Sequence, residues 1–346
     1  MKIDVHKHRL EFKRPAGTSR SVLLHNDVWF IRIEDKGKIA YGECNPLVGL
    51  SLDDLPDYER RLKAFADEFE GRGEIDLDLL NNLPSMKFGF ESALKGLEEE
   101  EDFILFPSEF TDSRAAININ GLLWMGSREY MMEQLEQKIK AGFNCIKMKI
   151  GAIDFEEELS ILKHIRSRFT SNEIELRVDA NGAFKAEEAM EKLLRLSEYV
   201  IHSIEQPIAV GQWDQMAELA LNSPIPIALD EELIPLRDRE MREKMMKHIR
   251  PQYIILKPSL IGGFRDSDQW IALADENESG WWLTSALESN VGLNAIAQYT
   301  YTKKVTMPQG LGTGSLYTNN IDSPLLIEGG KLLYDRSQKW QHDLGF

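Results

Sequence analysis

Three carboxylates end short apolar runs at nearly even spacing along the chain: Asp179, Glu205 and Asp230. Parallel strands of a closed barrel bring their carboxyl ends to one rim, where functional groups collect. Carboxylate oxygens are the ligands that Mg²⁺ prefers, and three of them leave open positions for substrate oxygens. The spacing therefore predicts a divalent-cation site, with Asn181 and Glu231 supporting the three ligands from behind.

Lysines occupy the matching positions on the runs to either side. Lys147 and Lys149 alternate with Met148, so on a strand both side chains point to one face, taken here as the barrel interior. Lys257 ends a later apolar run. A neutral lysine is a base, and lysines on opposite sides would bracket a substrate. The set predicts proton abstraction next to a carboxylate. A Lys-x-Lys pair with solvated tips on an edge strand would show the same local pattern, but its position one strand before Asp179 favours the interior.

The elements that must position these groups alternate between apolar runs and amphipathic helical stretches from about residue 115 onward. Eight strand-like runs start roughly 20 to 30 residues apart, the length of one βα unit. This pattern predicts an α/β fold, a modified (β/α)7β TIM-like barrel. An open doubly wound sheet would also alternate, but it would hold its ligand at one switch point. The predicted strands are 115–120, 145–150, 175–179, 203–205, 225–230, 253–257, 281–285 and 305–309, with helices at 127–141, 155–169 and 185–196.

The first hundred residues have a different pattern. Runs between residues 22 and 33 predict antiparallel strands, and 84–94 predicts a helix with Ser85 as its N-cap. We therefore expect three parts: an N-terminal α+β capping domain (1–105), the barrel (106–314) and a C-terminal segment that returns to the cap (315–346).

Composition narrows the class of partner. The 346 residues carry a formal charge of −16, whereas phosphate binding needs concentrated Lys and Arg, so we expect no nucleic-acid partner. No apolar stretch is long enough for a bilayer and the N-terminus lacks the apolar segment of a signal peptide, so we expect no membrane partner and a cytoplasmic location. Nothing requires the only two cysteines, Cys44 and Cys145, to pair. The oligomeric state stays open.

The order of the charged groups resembles the enolase superfamily. Lys-x-Lys, Asp, Glu, Asp and Lys on successive strands are similar to the pattern of its muconate-lactonising subgroup, in which an α+β domain caps a modified barrel. The resemblance implies that Lys149 is the principal base and that Lys257 is its partner on the opposite face. Lys147 would assist by favouring the neutral form of Lys149 and by contacting the substrate. The resemblance also implies that Mg²⁺, or Mn²⁺ in its place, is bound by Asp179, Glu205 and Asp230.

Three further stretches resemble the o-succinylbenzoate synthase family within that subgroup. They run from Gly42 to Leu47 in the cap, from Ser285 to Leu293 after the seventh strand and from Gly310 to Gly314 after the eighth. The chain departs from the family pattern at Asn290, where serine is common, and this affects contacts to a substrate carboxylate. The resemblance implies a small-molecule carboxylate substrate contacted by Ser285, Gly312 and Thr313.

The activity implied is that of a carbon–oxygen lyase of menaquinone biosynthesis. It is the syn-dehydration of 2-succinyl-6-hydroxy-2,4-cyclohexadiene-1-carboxylate to 2-succinylbenzoate. Lys149 would remove the proton next to the ring carboxylate and return it to the leaving hydroxide, while the cation stabilises developing negative charge. Lys257 would lie over the other face of the ring. A cap loop over 15–19 would close over the substrate.

Other activities use the same groups. An N-acylamino-acid racemase would employ the two lysines as opposed bases, and it stays open because it needs no ligand for a substrate amine. A dipeptide epimerase typically adds an Asp-x-Asp pair on strand eight, whereas 308–312 contains no acid. A non-catalytic binding protein on a decayed barrel would have lost part of the set, yet all three acids and all three lysines are present.

Overall fold

An antiparallel sheet and two helices form the N-terminal part of the molecule. In this computed structural model, which describes residues 1–17, 22–341 and 343–346, three strands pair in sequence order: β1 (Lys2–Gly17), β2 (Val22–Asp35) and β3 (Lys38–Cys44). Two helices pack against this sheet: α1 (Tyr58–Arg72) and α2 (Pro84–Leu97). β3 and α2 approach so closely that a side chain at Gly42 would overlap the backbone of Gly89.

The start of α2 differs from the prediction. Leu83 is the N-cap and Pro84 opens the helix, so Ser85 is not the cap. Pro at the first helical position needs no N–H partner there and is already set to a helical φ. The Ser85 hydroxyl instead donates to Asp53 Oδ2 at 2.7 Å inside the cap.

Seven parallel strands and the helices between them form the second part. The chain enters it through β4 (Ala116–Asn118), which lies outside the parallel sheet. The sheet strands, in both chain and spatial order, are β5 (Gly121–Leu123), β6 (Cys145–Lys149), β7 (Glu175–Asp179), β8 (Ile201–Glu205), β9 (Ile227–Leu229), β10 (Tyr253–Leu256) and β11 (Gly280–Leu283). The helices are α3 (Arg128–Lys140), α4 (Phe155–Arg168), α5 (Ala186–Ser197), α6 (Trp213–Asn222), α7 (Arg239–Ile249), α8 (Pro258–Ile261), α9 (Phe264–Glu276) and α10 (Asn290–Thr302).

The predicted helices agree with α3, α4 and α5 to within two residues at each end. Ser127 caps α3 by accepting a hydrogen bond from Tyr130 N at 3.3 Å, as expected of a serine before a helix. Apolar residues of these helices join the strands in one large core cluster, for example Leu135, Leu162 and Leu193. The amphipathic pattern is therefore the cause of the helical layer around the sheet.

The eighth strand is reduced to two residues, yet these residues close the barrel. Gln309 N donates to Asn118 O at 2.8 Å, and Asn120 N donates to Gln309 O at 3.0 Å. On the other side, Gly310 N donates to Leu283 O at 2.8 Å. Gln309 and Gly310 thereby connect residues 118–120, which lead into β5, with the end of β11.

Two of the predicted strand positions were therefore wrong in detail. The first barrel strand begins at Gly121, because 116–118 pairs instead with a C-terminal hairpin. The predicted strand 305–309 shrinks to Gln309 and Gly310, which follow Pro308, a residue with no N–H to donate to a ladder.

The C-terminal residues contact both parts of the molecule. The hairpin of β12 (Leu325–Glu328) and β13 (Lys331–Tyr334) pairs with β4. Farther on, Trp340 and Leu344 pack with Leu10 and Phe30 of the cap. The predicted closing loop at 15–19 includes residues 18 and 19, which lie outside the described residues. Within the described ranges, no helix has the length and apolar character needed to cross a bilayer.

Candidate active site

Strand register places the charged groups side by side. Lys149 of β6 is aligned with Asp179 of β7, and Asp179 is aligned with Glu205 of β8. Glu205 is in turn aligned with Ala228 of β9, two residues before Asp230. Because parallel strands in register bring equivalent ends together, three neighbouring strands deliver their acids to the same rim of the barrel.

Lys147 and Lys149 both bind Asp179, and each has a second partner. The distances to Asp179 Oδ2 are 3.1 Å from Lys147 Nζ and 2.9 Å from Lys149 Nζ. Lys147 Nζ also donates to Glu205 Oε2 at 2.5 Å, whereas Lys149 Nζ donates to Asn181 Oδ1 at 2.6 Å. The shared face predicted for the Lys-x-Lys pair is confirmed by these contacts. Lys149 is the more accessible of the two lysines, with 12% of its side chain exposed against 7% for Lys147.

Lys257 lies at the other side of the carboxylates. Its ammonium group forms a short ion pair with Asp230 Oδ2 and lies 3.8 Å from Glu205 Oε1. Lys147 therefore bridges Asp179 and Glu205, and Lys257 bridges Glu205 and Asp230. Glu205 is the central carboxylate of the cluster.

Asn181 and Glu231 lie next to Lys149. Asn181 Nδ2 donates to Glu231 Oε1 at 3.0 Å while its oxygen accepts from Lys149. From the sequence, both residues were expected to support the metal ligands. In the structure Asn181 contacts Asp179 through its backbone N–H, at 3.1 Å from Asp179 Oδ1, and its side chain orients Lys149.

The electrostatics follow from three carboxylates buried together. Burial opposes ionisation of Asp179, but the ammonium groups of Lys147 and Lys149 outweigh it and hold the pKa of Asp179 below its usual value. Burial and the neighbouring carboxylate of Asp179 raise the pKa of Glu205. Burial disfavours the charged form of Lys257 as well, but Asp230 and Glu205 reverse this and raise the pKa of Lys257. The buried carboxylates therefore need cations close by in order to stay ionised.

The donor set fits a divalent cation in both chemistry and charge. Four buried acids, Asp179, Glu205, Asp230 and Glu231, face three lysines, which leaves a formal excess of one negative charge. Glu205 Oε1 is buried and accepts no hydrogen bond from any described residue. Among the described residues, no three acid, Cys or His side chains already form a metal cluster, because lysine ammonium groups lie between the carboxylates. Hard oxygen donors of this kind suit Mg²⁺.

Gln206 was not identified from the sequence, although its side chain links the end of β8 to the residues that follow β9. Its Oε1 accepts from the backbone N–H of Asp230 at 3.4 Å and of Glu232 at 3.3 Å, and its Nε2 donates to Glu232 Oε2 at 3.2 Å. Gln206 has φ of +39°, in the left-handed region that non-glycine residues rarely occupy. Such a residue directly after a predicted ligand is typical of strain stored at a functional site. The signal available in the sequence was its place between Glu205 and Pro207.

A cavity of about 370 Å³ opens over the lysines. Its lining includes Lys147, Lys149 and Lys257, together with the predicted substrate-contact residues Ser285, Gly312 and Thr313. The hydroxyls of Ser285 and Thr313 lie 2.6 Å apart and hydrogen-bond to each other. Cap residues close the opposite side: Phe12, Lys13, Arg14, Pro15, Leu23, Leu47, Val48 and Leu50. The cavity is therefore shared by the cap and the barrel, and its size suits a small molecule.

Comparison of the chain with known proteins identifies its family. The family model described as "Enolase C-terminal domain-like" matches residues 130–336. An o-succinylbenzoate synthase from Desulfotalea psychrophila is 47% identical, over 96% of this chain and 98% of that protein. The crystal structure of MenC from the same organism has a TM-score of 0.84 at 43% identity and covers 96% of this chain and 99% of its own.

A more distant structure shares the fold. The o-succinylbenzoate synthase from Thermosynechococcus elongatus BP-1, which holds Mg in its active site, has a TM-score of 0.74 at 24% identity, with coverage of 95% of this chain and 97% of that one. The family model spans more than half of the 346 residues, and the Desulfotalea psychrophila relative matches nearly the whole chain. The chain therefore belongs to the enolase superfamily, in its muconate-lactonising subgroup.

Proposed function

We propose that this protein is an o-succinylbenzoate synthase, a carbon–oxygen lyase of menaquinone biosynthesis. It converts 2-succinyl-6-hydroxy-2,4-cyclohexadiene-1-carboxylate into 2-succinylbenzoate and water. The observation that carries the proposal is that Lys149 and Lys257 line one cavity from opposite sides of a buried carboxylate cluster. The relative from Desulfotalea psychrophila, which bears that name and matches nearly full length, supports the same activity.

Lys149 is the proposed base. Its neutral amine takes the proton from the carbon next to the ring carboxylate. The resulting ammonium returns this proton to the hydroxyl on the adjacent carbon as the carbon–oxygen bond breaks, so water leaves and the ring becomes aromatic. Asn181 and Asp179 orient Nζ for both transfers, through contacts of 2.6 and 2.9 Å. General acid–base catalysis of this kind typically contributes 10²- to 10⁴-fold.

Lys257 and Lys147 have different proposed roles. Lys257 holds a positive charge on the face opposite Lys149, because Asp230 keeps it protonated. Lys147, whose pKa is raised since Asp179 and Glu205 outweigh the effect of burial, contacts the substrate as a cation near the base. Ser285, Gly312 and Thr313 contact the substrate along the barrel wall.

The proposed metal ligands are Asp179, Glu205 and Asp230. A bound Mg²⁺, or Mn²⁺ in its place, supplies Lewis-acid stabilisation of the negative charge that develops on the substrate carboxylate. Asn181 and Glu231 support this ligand set through the bonds described above.

We further propose the setting in which the enzyme works. Residues 1–105 form the cap, 106–314 the barrel and 315–346 the returning segment. The protein acts in the cytoplasm on a small-molecule carboxylate, without a nucleic-acid or membrane partner.

The test is a comparison of two activities of the purified protein. Dehydration of the cyclohexadiene carboxylate is followed by loss of diene absorbance, and racemisation of an N-succinylamino acid is followed by polarimetry. We expect dehydration to have the larger kcat/KM. Racemisation without dehydration would move the physiological substrate to an amino-acid derivative and refute the proposal.

A further inference from the structure

One wall of the cavity is held in place by residues from outside the barrel. It is formed by the residues that follow β11, of which Ala286 and Leu287 are almost fully buried. Leu287 has φ of +68°, a left-handed conformation that is strained for a residue with a Cβ. Strained residues of this kind persist only where their surroundings fix them.

The support comes from the cap and the C-terminal segment. The carbonyl oxygen of Leu287 accepts two hydrogen bonds, from Asn26 Nδ2 at 3.0 Å and from Tyr317 Oη at 2.6 Å. The carbonyl oxygen of Ala286 accepts one from Asn45 Nδ2 at 2.8 Å. Asn26 Nδ2 also donates to Asn45 Oδ1 at 3.0 Å, so the two amides brace each other. All three donor residues are buried, Asn45 completely.

Asn45 also begins the opposite wall of the cavity. Its carbonyl oxygen accepts from Leu47 N at 3.0 Å, and the turn that follows brings Leu47, Val48 and Leu50 to the cavity. One residue thus joins the cap wall to the barrel wall. Lys147, Lys149, Asp179 and Glu205, in contrast, are held by contacts among β6, β7 and β8.

We propose that Asn45, with Asn26 and Tyr317, is a positioning residue that fixes the wall after β11 against the cap. This wall sets the fit of the substrate portion that lies away from the proton-transfer lysines. The identity of that substrate rests on the proposed function. Loosening the wall therefore weakens substrate binding more than it slows proton transfer, because Asp179 and Asn181 still hold Lys149.

The experiment compares Asn45→Ala with Asn294→Ala. Asn294 is a matched control, because it is 1% exposed, its Nδ2 donates to Phe103 O at 2.8 Å, and its Oδ1 accepts from Gln298 Nε2 at 2.8 Å. For Asn45→Ala we expect KM to rise about 10-fold or more with kcat within about 3-fold of wild type. For Asn294→Ala we expect KM and kcat close to wild type, even where the melting temperature falls equally.

Two further readouts keep the proposal testable. Tyr317→Phe removes one of the two hydrogen bonds to the carbonyl oxygen of Leu287 while keeping the aromatic ring, so it should raise KM about 3-fold. If Asn45→Ala does not fold, the KM of Tyr317→Phe tests the positioning role in its place. Hydrogen–deuterium exchange over 285–289 should be faster in Asn45→Ala than in Asn294→Ala.

The two kinds of failure differ. Equal KM and equal exchange in Asn45→Ala and Asn294→Ala would overturn the positioning role. A wild-type protein without dehydration activity would refute the proposed function alone, and the exchange rates would then decide the positioning role without any substrate.

Discussion

A buried ion-pair network joins the cap to the barrel, and its removal should destabilise the protein measurably. Asp266 of α9 binds Lys87 of α2 at 2.6 Å and Arg242 of α7 at 2.5 Å. All three side chains are at least 94% buried. Asp266→Asn removes the anion that Lys87 and Arg242 share and that Arg237 approaches to 4.0 Å.

The expected loss can be estimated from this geometry. Removing one partner of a buried pair typically costs about 3–5 kcal/mol, and the asparagine oxygen can still accept one hydrogen bond, which favours the lower end. For 346 residues the unfolding entropy is roughly 0.7 kcal/mol/K, so the melting temperature should fall by about 4–7 °C.

Asp78→Asn is the matched control, because Asp78 in the cap pairs with Arg265 of the same helix α9 but at the exposed surface. Exposed pairs contribute about 0–1 kcal/mol, so this variant should melt within about 1–2 °C of wild type. Thermal unfolding followed by circular dichroism measures both. Equal shifts in the two variants would refute the reasoning that burial makes the Asp266 network costly to break.

Three further predictions concern the site and the cap. Lys149→Ala should lower kcat by about 10²- to 10⁴-fold, because it removes the proposed base. It should not weaken Mg²⁺ binding in calorimetry, because it removes a cation beside Asp179. An unchanged kcat would refute the role of Lys149 as base. Asp230→Asn should weaken Mg²⁺ binding and activity together, and weakened activity with unaltered affinity would remove Asp230 from the ligand set. Burial raises the pKa of Asp53 to about 6 from 3.8, so the folded state keeps a proton that the unfolded state has lost. Stability should therefore fall by ~3 kcal/mol as the pH rises from about 4 to 6, and urea unfolding of Asp53→Asn should lack this part of the slope.

The site was predictable from the sequence where local patterns determine position. An acid or lysine at the end of an apolar run lies at the rim of a parallel sheet, and this placed Asp179, Glu205, Asp230 and Lys257 together. The alternation of lysines around Met148 likewise gave their shared face. These inferences depend only on strand periodicity and on strand order in a barrel.

Other features depend on contacts that no local pattern specifies. Asn45 is hydrogen-bonded to Ala286, which lies 241 positions away in the sequence. The left-handed conformation of Leu287 could not be predicted, because the residue there is not the glycine that usually adopts it. The bond from Lys149 to Asn181 depends on side-chain direction within the rim. The reduced eighth strand consists of only two residues, which are too few to produce a periodic pattern in the sequence.

The most direct test of the account is a metal-exchange experiment in the dehydration assay. Wild-type protein and Lys149→Ala are assayed with the cyclohexadiene carboxylate after EDTA treatment and again after Mg²⁺ is restored. We expect wild-type dehydration to disappear with EDTA and to return with Mg²⁺, while Lys149→Ala with Mg²⁺ restored stays about 10²- to 10⁴-fold slower than wild type. Dehydration that survives EDTA, or that proceeds in Lys149→Ala at the wild-type rate, would contradict a cation-assisted elimination with Lys149 as its base.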